Sequence, residues 1–402
     1  MTREAARSPG VARPPLFSRA FVLLWIAAFG FFTAGNTVLP VSSRFAAGPL
    51  GADSAGVGIA IGVFSVAALA LRPVVGWASD RFGRRPLLIL GGSLTVAALV
   101  LHLFVTTLPM FIVARAIFGV GDAFFFVSAV AAISDMAPPE RRGEAINVGS
   151  LAVYLGLAFG PFLGETILAA RDYTSVWIAA GVMAAATTVI SLFVPETAPL
   201  ALRPKDPDGK PQRSPLIHPA GLLPGSLLLA GTWGMAGFLA FVPLYLGTVG
   251  MGAAGPVLAE YALIVVSLRI IFVRLPDQIG AVPLSAFALI GSAVGMTILG
   301  IVRDPVGVYL GTAVFASGIA FLFPALLAVA VSRVDENERG SVVGTTTAFV
   351  DLSFGISPAV LGFLAGSIGL GGAWIVSAVI AALGACVLAV RRDSLVHRPE
   401  PA

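Results

Sequence analysis

The 402-residue chain is 57% hydrophobic and only 11% charged, and its mean hydropathy is +0.95. Because soluble domains carry about 25% charged residues, this composition predicts a polytopic membrane protein and leaves no room for a large catalytic domain. The net charge of +4 does not indicate a nucleic-acid partner, since the basic residues lie in loops that flank apolar segments rather than in one patch.

Twelve apolar segments of about 20 residues are each long enough to cross a bilayer as a helix. They are predicted at residues 20–43, 54–75, 86–106, 109–136, 143–170, 174–194, 220–249, 254–274, 281–301, 305–332, 341–368 and 372–390. With the N-terminus in the cytoplasm, 21 of the 25 Lys and Arg residues fall in inner segments, which predicts that both termini are cytoplasmic. Arginine outnumbers lysine by 23 to 2, which indicates a bacterial source and hence the plasma (inner) membrane.

The loop between the second and third spans packs one acid and three arginines into a glycine-bearing turn. From Gly76 to Arg85 it reads GWASDRFGRR, which fills every fixed position of G-x-x-x-D-R-x-G-R-R. This pattern resembles the loop signature of the major facilitator superfamily, the twelve-helix secondary transporters. The resemblance implies an all-α membrane protein in which two six-helix bundles enclose a central cavity that opens alternately to either side.

This loop is also a candidate conformational latch, because opposite charges at inner helix ends can hold a seam between two halves shut. In the resembled family the acid, here Asp80, lies against the start of the eleventh helix. The arginine after it pairs with an acid at the inner end of the fourth, a position that Asp135 fills. The predicted latch residues are Gly76, Asp80, Arg81, Gly83, Arg84, Arg85 and Asp135. The alternative is that the arginines are only topology charges at lipid headgroups.

In the fourth span, Arg115, Gly119 and Asp122 share one helix face at positions i, i+4 and i+7. A charge at mid-bilayer costs about 2.5–3.5 kcal/mol, so Arg115 and Asp122 should face a cavity or a partner. The run R-x-x-x-G-x-G from Arg115 resembles the fourth-helix motif of proton-coupled exporters, which implies a role for the arginine in proton transfer. Asp122 is outside that motif but suits a proton carrier. The alternative is a static pair that joins helices.

The fifth span carries a run of small residues with a proline, Gly156, Gly160, Pro161 and Gly164. Small residues four apart allow close helix approach, and the proline introduces a bend or hinge. The run resembles the antiporter motif G-x8-G-x3-G-P-x2-G-G, which is found chiefly in exporters. Its first and last glycine positions hold Asn147 and Glu165. The motif favours export, and ordinary packing is the alternative.

A polar segment rich in proline and charge, residues 195–219, separates the sixth span from the seventh and is typical of a linker. We therefore predict an N-terminal bundle at 1–194, a cytoplasmic linker at 195–219 and a C-terminal bundle at 220–402. One shift of 197 residues supports two parallel repeats. It superposes Arg72 on Arg269, Asp80 on Asp277, Gly83 on Gly280, Pro86 on Pro283 and Pro161 on Pro358.

Asp351, in the eleventh span, is the second intramembrane carboxylate and a candidate for substrate or proton contact; the alternative is a hydrogen bond to a neighbouring helix. Asn36, Asn147 and Tyr154 are further cavity candidates, although Asn and Tyr often join helices. Charged residues near span ends are expected to snorkel toward headgroups. They are Arg72, Arg269, Glu165 and Glu260.

Together these features predict a proton-coupled antiporter that exports a small amphipathic organic compound, with no enzymatic activity and as a monomer. One alternative is a proton-driven importer of a sugar or organic acid, and another is a non-transporting receptor or scaffold. No G-x-x-x-x-G-K-[ST] loop for ATP occurs, and three histidines and one cysteine are too scattered for a metal site. We therefore expect no cofactor and no metal, and protons, the substrate and lipid as partners.

Overall fold

The computed structural model describes residues 17–137, 142–197, 217–252, 254–272, 275–334 and 338–396, and these residues form helices and no strand. The helices in chain order are α1 (Arg19–Ala47), α2 (Ser54–Phe82), α3 (Arg84–His102), α4 (Leu108–Met136), α5 (Arg142–Ala170), α6 (Tyr173–Ser191), α7 (Pro219–Thr248), α8 (Gly255–Ile271), α9 (Leu275–Ile279), α10 (Ala281–Ile301), α11 (Pro305–Val331), α12 (Arg339–Val390) and α13 (Arg392–Val396).

These helices account for the twelve predicted spans. Within the described residues, ten helices are long and apolar enough to cross a bilayer. One of the ten, α12, has 52 residues and bends at Gly369, whose φ of 72° favours glycine, so it comprises the eleventh and twelfth spans. The remaining span is α8, whose 17 residues are at the short end of the spanning range. The all-α membrane fold is confirmed.

Aspartate residues begin three of the helices at the predicted outer end of the bundle. Asp53, Asp172 and Asp304 precede α2, α6 and α11, and each side chain accepts a hydrogen bond from the backbone N–H three residues later, at 2.8, 2.7 and 2.7 Å. Such caps satisfy backbone donors that the first helical turn leaves free. The polar caps thus mark where these spans start.

The small residues of α5 pack against α1 inside the first half. A methyl group at Gly156 would lie 2.7 Å from the backbone of Phe32, and one at Gly164 would lie 2.1 Å from the carbonyl oxygen of Thr37. Gly160 faces Asn36 in the same way, and Pro161 lies within the helix. Glycine at these positions therefore sets how closely α1 and α5 approach.

The two halves meet along α2 and α12, α5 and α8, and α1 and α7. The closest backbone approach is between α2 and the first half of α12, toward the predicted outer end. There, methyl groups at Gly58 and Gly62 would lie 2.1 and 2.2 Å from the carbonyl oxygens of Pro358 and Gly355. Glycine thus lets these two helices touch backbone to backbone.

Replacing Gly362 by alanine is expected to destabilise this seam. The new methyl group would lie 2.1 Å from the carbonyl oxygen of Ser54, and such overpacking costs about 1–3 kcal/mol. Gly366, one turn later on the same helix, has nothing within 4 Å of a methyl position and provides a matched control. Thermal unfolding in detergent should show a lower Tm for Gly362→Ala but not for Gly366→Ala. Equal Tm values would contradict the close approach of α2 and α12.

Candidate functional site

A cavity of about 120 Å³ lies between α1, α2 and α4, with one contribution from α12. Its wall is mostly apolar, with five phenylalanine rings, and carries two charged side chains, Arg115 and Asp122, both from α4. The aromatic lining residues are Phe31, Phe32, Phe64, Phe118 and Phe354, and Asn36 adds a polar amide. An apolar cavity with a few polar groups is the usual form of a small-molecule site.

Arg115 is buried, with 2% of its surface exposed, and lies against α2. Its Nε donates to the carbonyl oxygen of Ala60 at 3.4 Å, and its guanidinium lies over the rings of Phe64 and Phe118 at 5.0 and 5.8 Å. Gly119 makes this possible, because a methyl group there would lie 2.0 Å from the Phe64 carbonyl oxygen. In the described part of the chain no carboxylate lies within ion-pair distance of Arg115.

Asp122 lines the same cavity but is not paired with Arg115. The two residues share one face of α4, yet seven residues separate them by about 10 Å along the axis. The charges that act on the Asp122 carboxyl are those of Arg72 and Asp351. The expected pair between Arg115 and Asp122 is therefore absent from the described residues, and the nearby cation whose charge reaches Asp122 is Arg72, which is itself paired with Asp351.

Arg72 joins the two halves by an ion pair with Asp351. Its Nη1 donates to Asp351 Oδ2, and its guanidinium lies 4.7 Å from the ring centre of Phe126. Both side chains are largely buried, with 20% and 16% exposed. Snorkelling of Arg72 toward the headgroups, as expected from its place in the span, is wrong, because a carboxylate on α12 is within its reach.

The internal repeat gives this pair a counterpart on the opposite seam. The shift of 197 residues that takes Arg72 to Arg269 also takes Tyr154 to Asp351. The guanidinium of Arg269 on α8 lies 3.6 Å from the ring centre of Tyr154 on α5, and its Nε donates to the Ala320 carbonyl oxygen at 2.8 Å. Tyr154 thus lies at the α5–α8 seam, outside the described cavity, and snorkelling of Arg269 is also wrong.

At the predicted inner end, the turn between α2 and α3 is built around Gly83, whose φ is 102°. The carboxylate of Glu196 accepts hydrogen bonds from the backbone N–H groups of Arg84 and Arg85 at 2.8 and 3.2 Å. A methyl group on Gly83 would lie 2.4 Å from Glu196 Oε2. Glu196 was not predicted as a functional residue, although an acid directly after the sixth span was the available signal.

The arginines of this loop differ in their partners. Arg84, not Arg81, pairs with Asp135, through Nε and Oδ2 at 3.1 Å. Arg85 donates to the Leu192 carbonyl oxygen at 2.5 Å, and Arg81 lies over the Trp77 ring at 5.3 Å. The first arginine of the signature therefore does not contact Asp135, because the turn at Gly83 directs Arg84 there.

Two predictions rest on side chains that the structure does not describe. Nothing is described of the side chains of Asp80 and Asn147, and the same holds for the Arg339 side chain at the start of the eleventh span. The contact predicted between Asp80 and that helix stays a prediction. A methyl group at Gly76, the first signature position, would have no atom within 4 Å.

A second inter-half contact lies at the predicted outer end, around Glu165. Its carboxylate is 6% exposed, accepts from Arg44 Nε at 3.1 Å and hydrogen-bonds with the backbone of Ala254 at the start of α8. Arg44 also donates to the Gly252 carbonyl oxygen at 3.3 Å. Glu165 was expected to snorkel; instead it ties α1 and α5 to the second half.

Comparison with known proteins bears on the fold and the family. The sequence profile described as Major Facilitator Superfamily matches residues 24–283 and 254–402. The chain belongs to the major facilitator superfamily. An uncharacterized MFS-type transporter of Salmonella typhimurium is 26% identical over 343 residues, which are 83% of this chain and 86% of the relative. This major facilitator protein is therefore a multi-pass membrane transporter of the secondary class.

Solved structures show the same fold at low identity. A bacterial homolog of the human lysosomal transporter Spinster, in an inward-facing and unoccupied conformation, has a TM-score of 0.78 and 15% identity over 97% of this chain and all of its own. A POT family transporter in complex with 5-aminolevulinic acid has a TM-score of 0.79 and 11% identity, covering 94% and 97% of the two chains. Both support the major facilitator fold alone.

Proposed function

We propose that this chain is a proton-coupled secondary transporter that exports a small amphipathic organic compound in exchange for protons. The observation that carries this proposal is the position of Asp122. It lies in an apolar cavity near the Arg72–Asp351 pair, which joins the two halves. A carboxyl at this place can take up a proton where the change in charge alters a contact between halves.

The coupling follows from two carboxyls that share one guanidinium. Arg72 pairs with Asp351 on α12 and attracts Asp122 on α4. When Asp122 passes its proton to Asp351, the neutral Asp351 would weaken its hold on Arg72, and the charged Asp122 would draw Arg72 toward the first half. The α2–α12 seam would lose its ion pair, and the halves could rock. Release of the proton on the other side restores the pair.

Export and orientation are further parts of this proposal. The Gly156, Gly160, Pro161 and Gly164 run resembles a motif found chiefly in exporters, which supports outward transport. The basic residues of the predicted inner segments support cytoplasmic termini in the inner membrane. The outer contact of Glu165 with Arg44 and the start of α8 would close the external side.

Asp122→Asn is expected to abolish coupled flux while leaving the protein folded. In proteoliposomes with an internal pH-sensitive dye, a panel of organic anions, cations and neutral compounds should include one that triggers proton movement by wild type. Asp122→Asn, which cannot exchange a proton, should reduce that movement at least about tenfold, since acid–base groups contribute about 10²–10⁴-fold. The matched control is Asp172→Asn, an exposed helix cap at which asparagine serves equally well.

Unchanged proton movement in Asp122→Asn would contradict the role of this carboxyl. Substrate flux without proton movement would contradict coupling. No flux of any compound by a monodisperse wild-type sample would favour the receptor or scaffold alternative. Inward flux that exceeds outward flux under equal gradients would favour the importer.

A further inference from the structure

Arg115 is a buried positive charge that the described protein leaves without a counter-charge. It is 2% exposed, lines the cavity, and has one carbonyl oxygen and two aromatic rings as its contacts. Leaving a guanidinium without a carboxylate or phosphate in an apolar interior is costly. Such an arrangement indicates a site in which a ligand supplies the missing charge.

The other titratable group near Arg115 does not supply a negative charge. The charge of Arg115 acts on the ring of His102, whose Nδ1 lies 2.7 Å from the Ala98 carbonyl oxygen. An imidazole that donates a ring N–H to a carbonyl oxygen is either neutral or positively charged. His102 therefore adds no anion to this end of the cavity.

The charges of the cavity divide into two groups. Near Asp122, the guanidinium of Arg72 is already paired with Asp351, so the carboxylate of Asp122 is one negative charge in excess, and a proton can neutralise it. About 10 Å away along α4, Arg115 is one positive charge in excess. A proton cannot neutralise that end, but an anion can.

We propose that Arg115 binds the anionic group of the substrate, and that the substrate is a small organic anion with an aromatic or branched apolar part. This inference rests on the proposed transport function and names the substrate class of the same cavity. The rings of Phe31, Phe32 and Phe354 line the space for the apolar part, and the Asn36 amide adds a hydrogen-bonding group. Arginine recognises carboxylates by two parallel hydrogen bonds.

The size of the cavity limits the substrate. Its volume of about 120 Å³ is close to the roughly 150 Å³ of an apolar cavity that binds benzene and is below the usual 300–1,000 Å³ of drug-sized sites. A benzoate-sized acid therefore fits this conformation, whereas a multi-ring drug does not.

Equilibrium binding to the purified full-length protein in detergent tests the inference with compounds of one shape and three charges. The probes are benzoate, benzamide and benzylammonium, and phenylacetate with phenylacetamide and phenethylammonium. The wild-type protein should bind each anion at least tenfold more tightly than its neutral and cationic counterparts. Equal binding of the three charge types, or preference for the cations, would overturn the inference.

Two substitutions at Arg115 test its contact with the anion. Arg115→Gln should weaken benzoate binding at least about tenfold, since a hydrogen bond to a charged group contributes about 1.5–3 kcal/mol, and Arg115→Lys should recover part of the loss. Asp172→Asn, at an exposed helix cap of α6, is the control and should leave benzoate binding unchanged. Unchanged binding in Arg115→Gln, or an equal loss in Asp172→Asn, would contradict an anion at Arg115.

Controls separate this inference from misfolding and from the transport proposal. Arg115→Gln should unfold at the same or a higher temperature than wild type, because it no longer buries an unpaired charge. Binding in detergent needs neither coupling nor flux. Proton-coupled flux of cations alone would therefore overturn the substrate class and leave the transport proposal intact. Benzoate binding without flux of any compound would support the anion site and overturn the transport proposal.

Discussion

Arg72→Gln should lower the free energy of unfolding by about 3–5 kcal/mol, the usual cost of removing one partner from a buried ion pair. The pair with Asp351 connects α2 to α12, and without Arg72 two carboxylates, Asp351 and Asp122, remain close together with no cation between them. The double variant Arg72→Gln/Asp351→Asn leaves neutral amides that can hydrogen-bond, so it should recover most of the lost stability. The double variant should nevertheless be unable to transport, because neither amide can take up or release a proton.

The internal repeat provides the matched control for the Arg72→Gln substitution. Arg269→Gln removes the equivalent arginine, but its contacts are the ring of Tyr154 and the Ala320 carbonyl oxygen, and no carboxylate of the described residues loses a partner. A cation–π contact contributes about 0.5–2 kcal/mol, so the loss should be smaller. Thermal and denaturant unfolding in detergent would measure the stability of the wild type, Arg72→Gln, the double variant and Arg269→Gln. Equal losses for Arg72→Gln and Arg269→Gln, or no recovery in the double variant, would contradict the ion pair as the main link between α2 and α12.

Gly83→Ala is the second change for which we expect a large effect, a loss of about 3 kcal/mol or more. At φ 102° and ψ 161° the backbone is in a region open essentially to glycine, where other residues cost about 1–3 kcal/mol. The new methyl group would also lie 2.4 Å from Glu196 Oε2 and displace the carboxylate from the start of α3. The free-energy cost of the backbone strain and that of the lost cap therefore add.

Gly76→Ala is the matched control, since both glycines belong to the loop signature. A methyl group at Gly76 meets no atom within 4 Å, and alanine is the better helix former. Its Tm should therefore equal or exceed that of wild type, while Gly83→Ala should give a lower Tm and less monodisperse protein. Glu196→Gln, which keeps the shape but loses the charge, should fall between them. Similar Tm values for the two glycine variants would contradict the cap.

Benzoate binding to Asp122→Asn would bear on the direction of transport. Exchange requires that the proton and the substrate exclude each other, whereas cotransport requires that each favours binding of the other. Tighter benzoate binding in Asp122→Asn would mean that a neutral Asp122 favours the anion. That result would support the substrate class and would shift the proposed direction from exchange to uptake of an acid with protons. Outward flux driven by an inward proton gradient would retain exchange.

Length and hydropathy were sufficient for the fold, because a bilayer imposes the same length and apolarity on every span. The twelve predicted spans agree with the helices, and Gly369 separates the last two as expected. The shift of 197 residues correctly placed Gly83 and Gly280 in equivalent turns, with φ of 102° and 91°. Local spacing also placed Arg115 and Asp122 on one face of α4, since helical periodicity depends only on nearby residues.

Pairing between charges was beyond the sequence. Asp351 meets an arginine 279 residues away, and no local pattern shows which of several intramembrane charges will come within 4 Å. The same limit explains why Arg84 rather than Arg81 contacts Asp135, and why Glu196 was missed. Long side chains reach several ångströms from their helix, so the partner depends on how the helices pack. Tertiary structure alone therefore decided that Arg72 is paired and that Arg115, which is more deeply buried, has no carboxylate partner among the described residues.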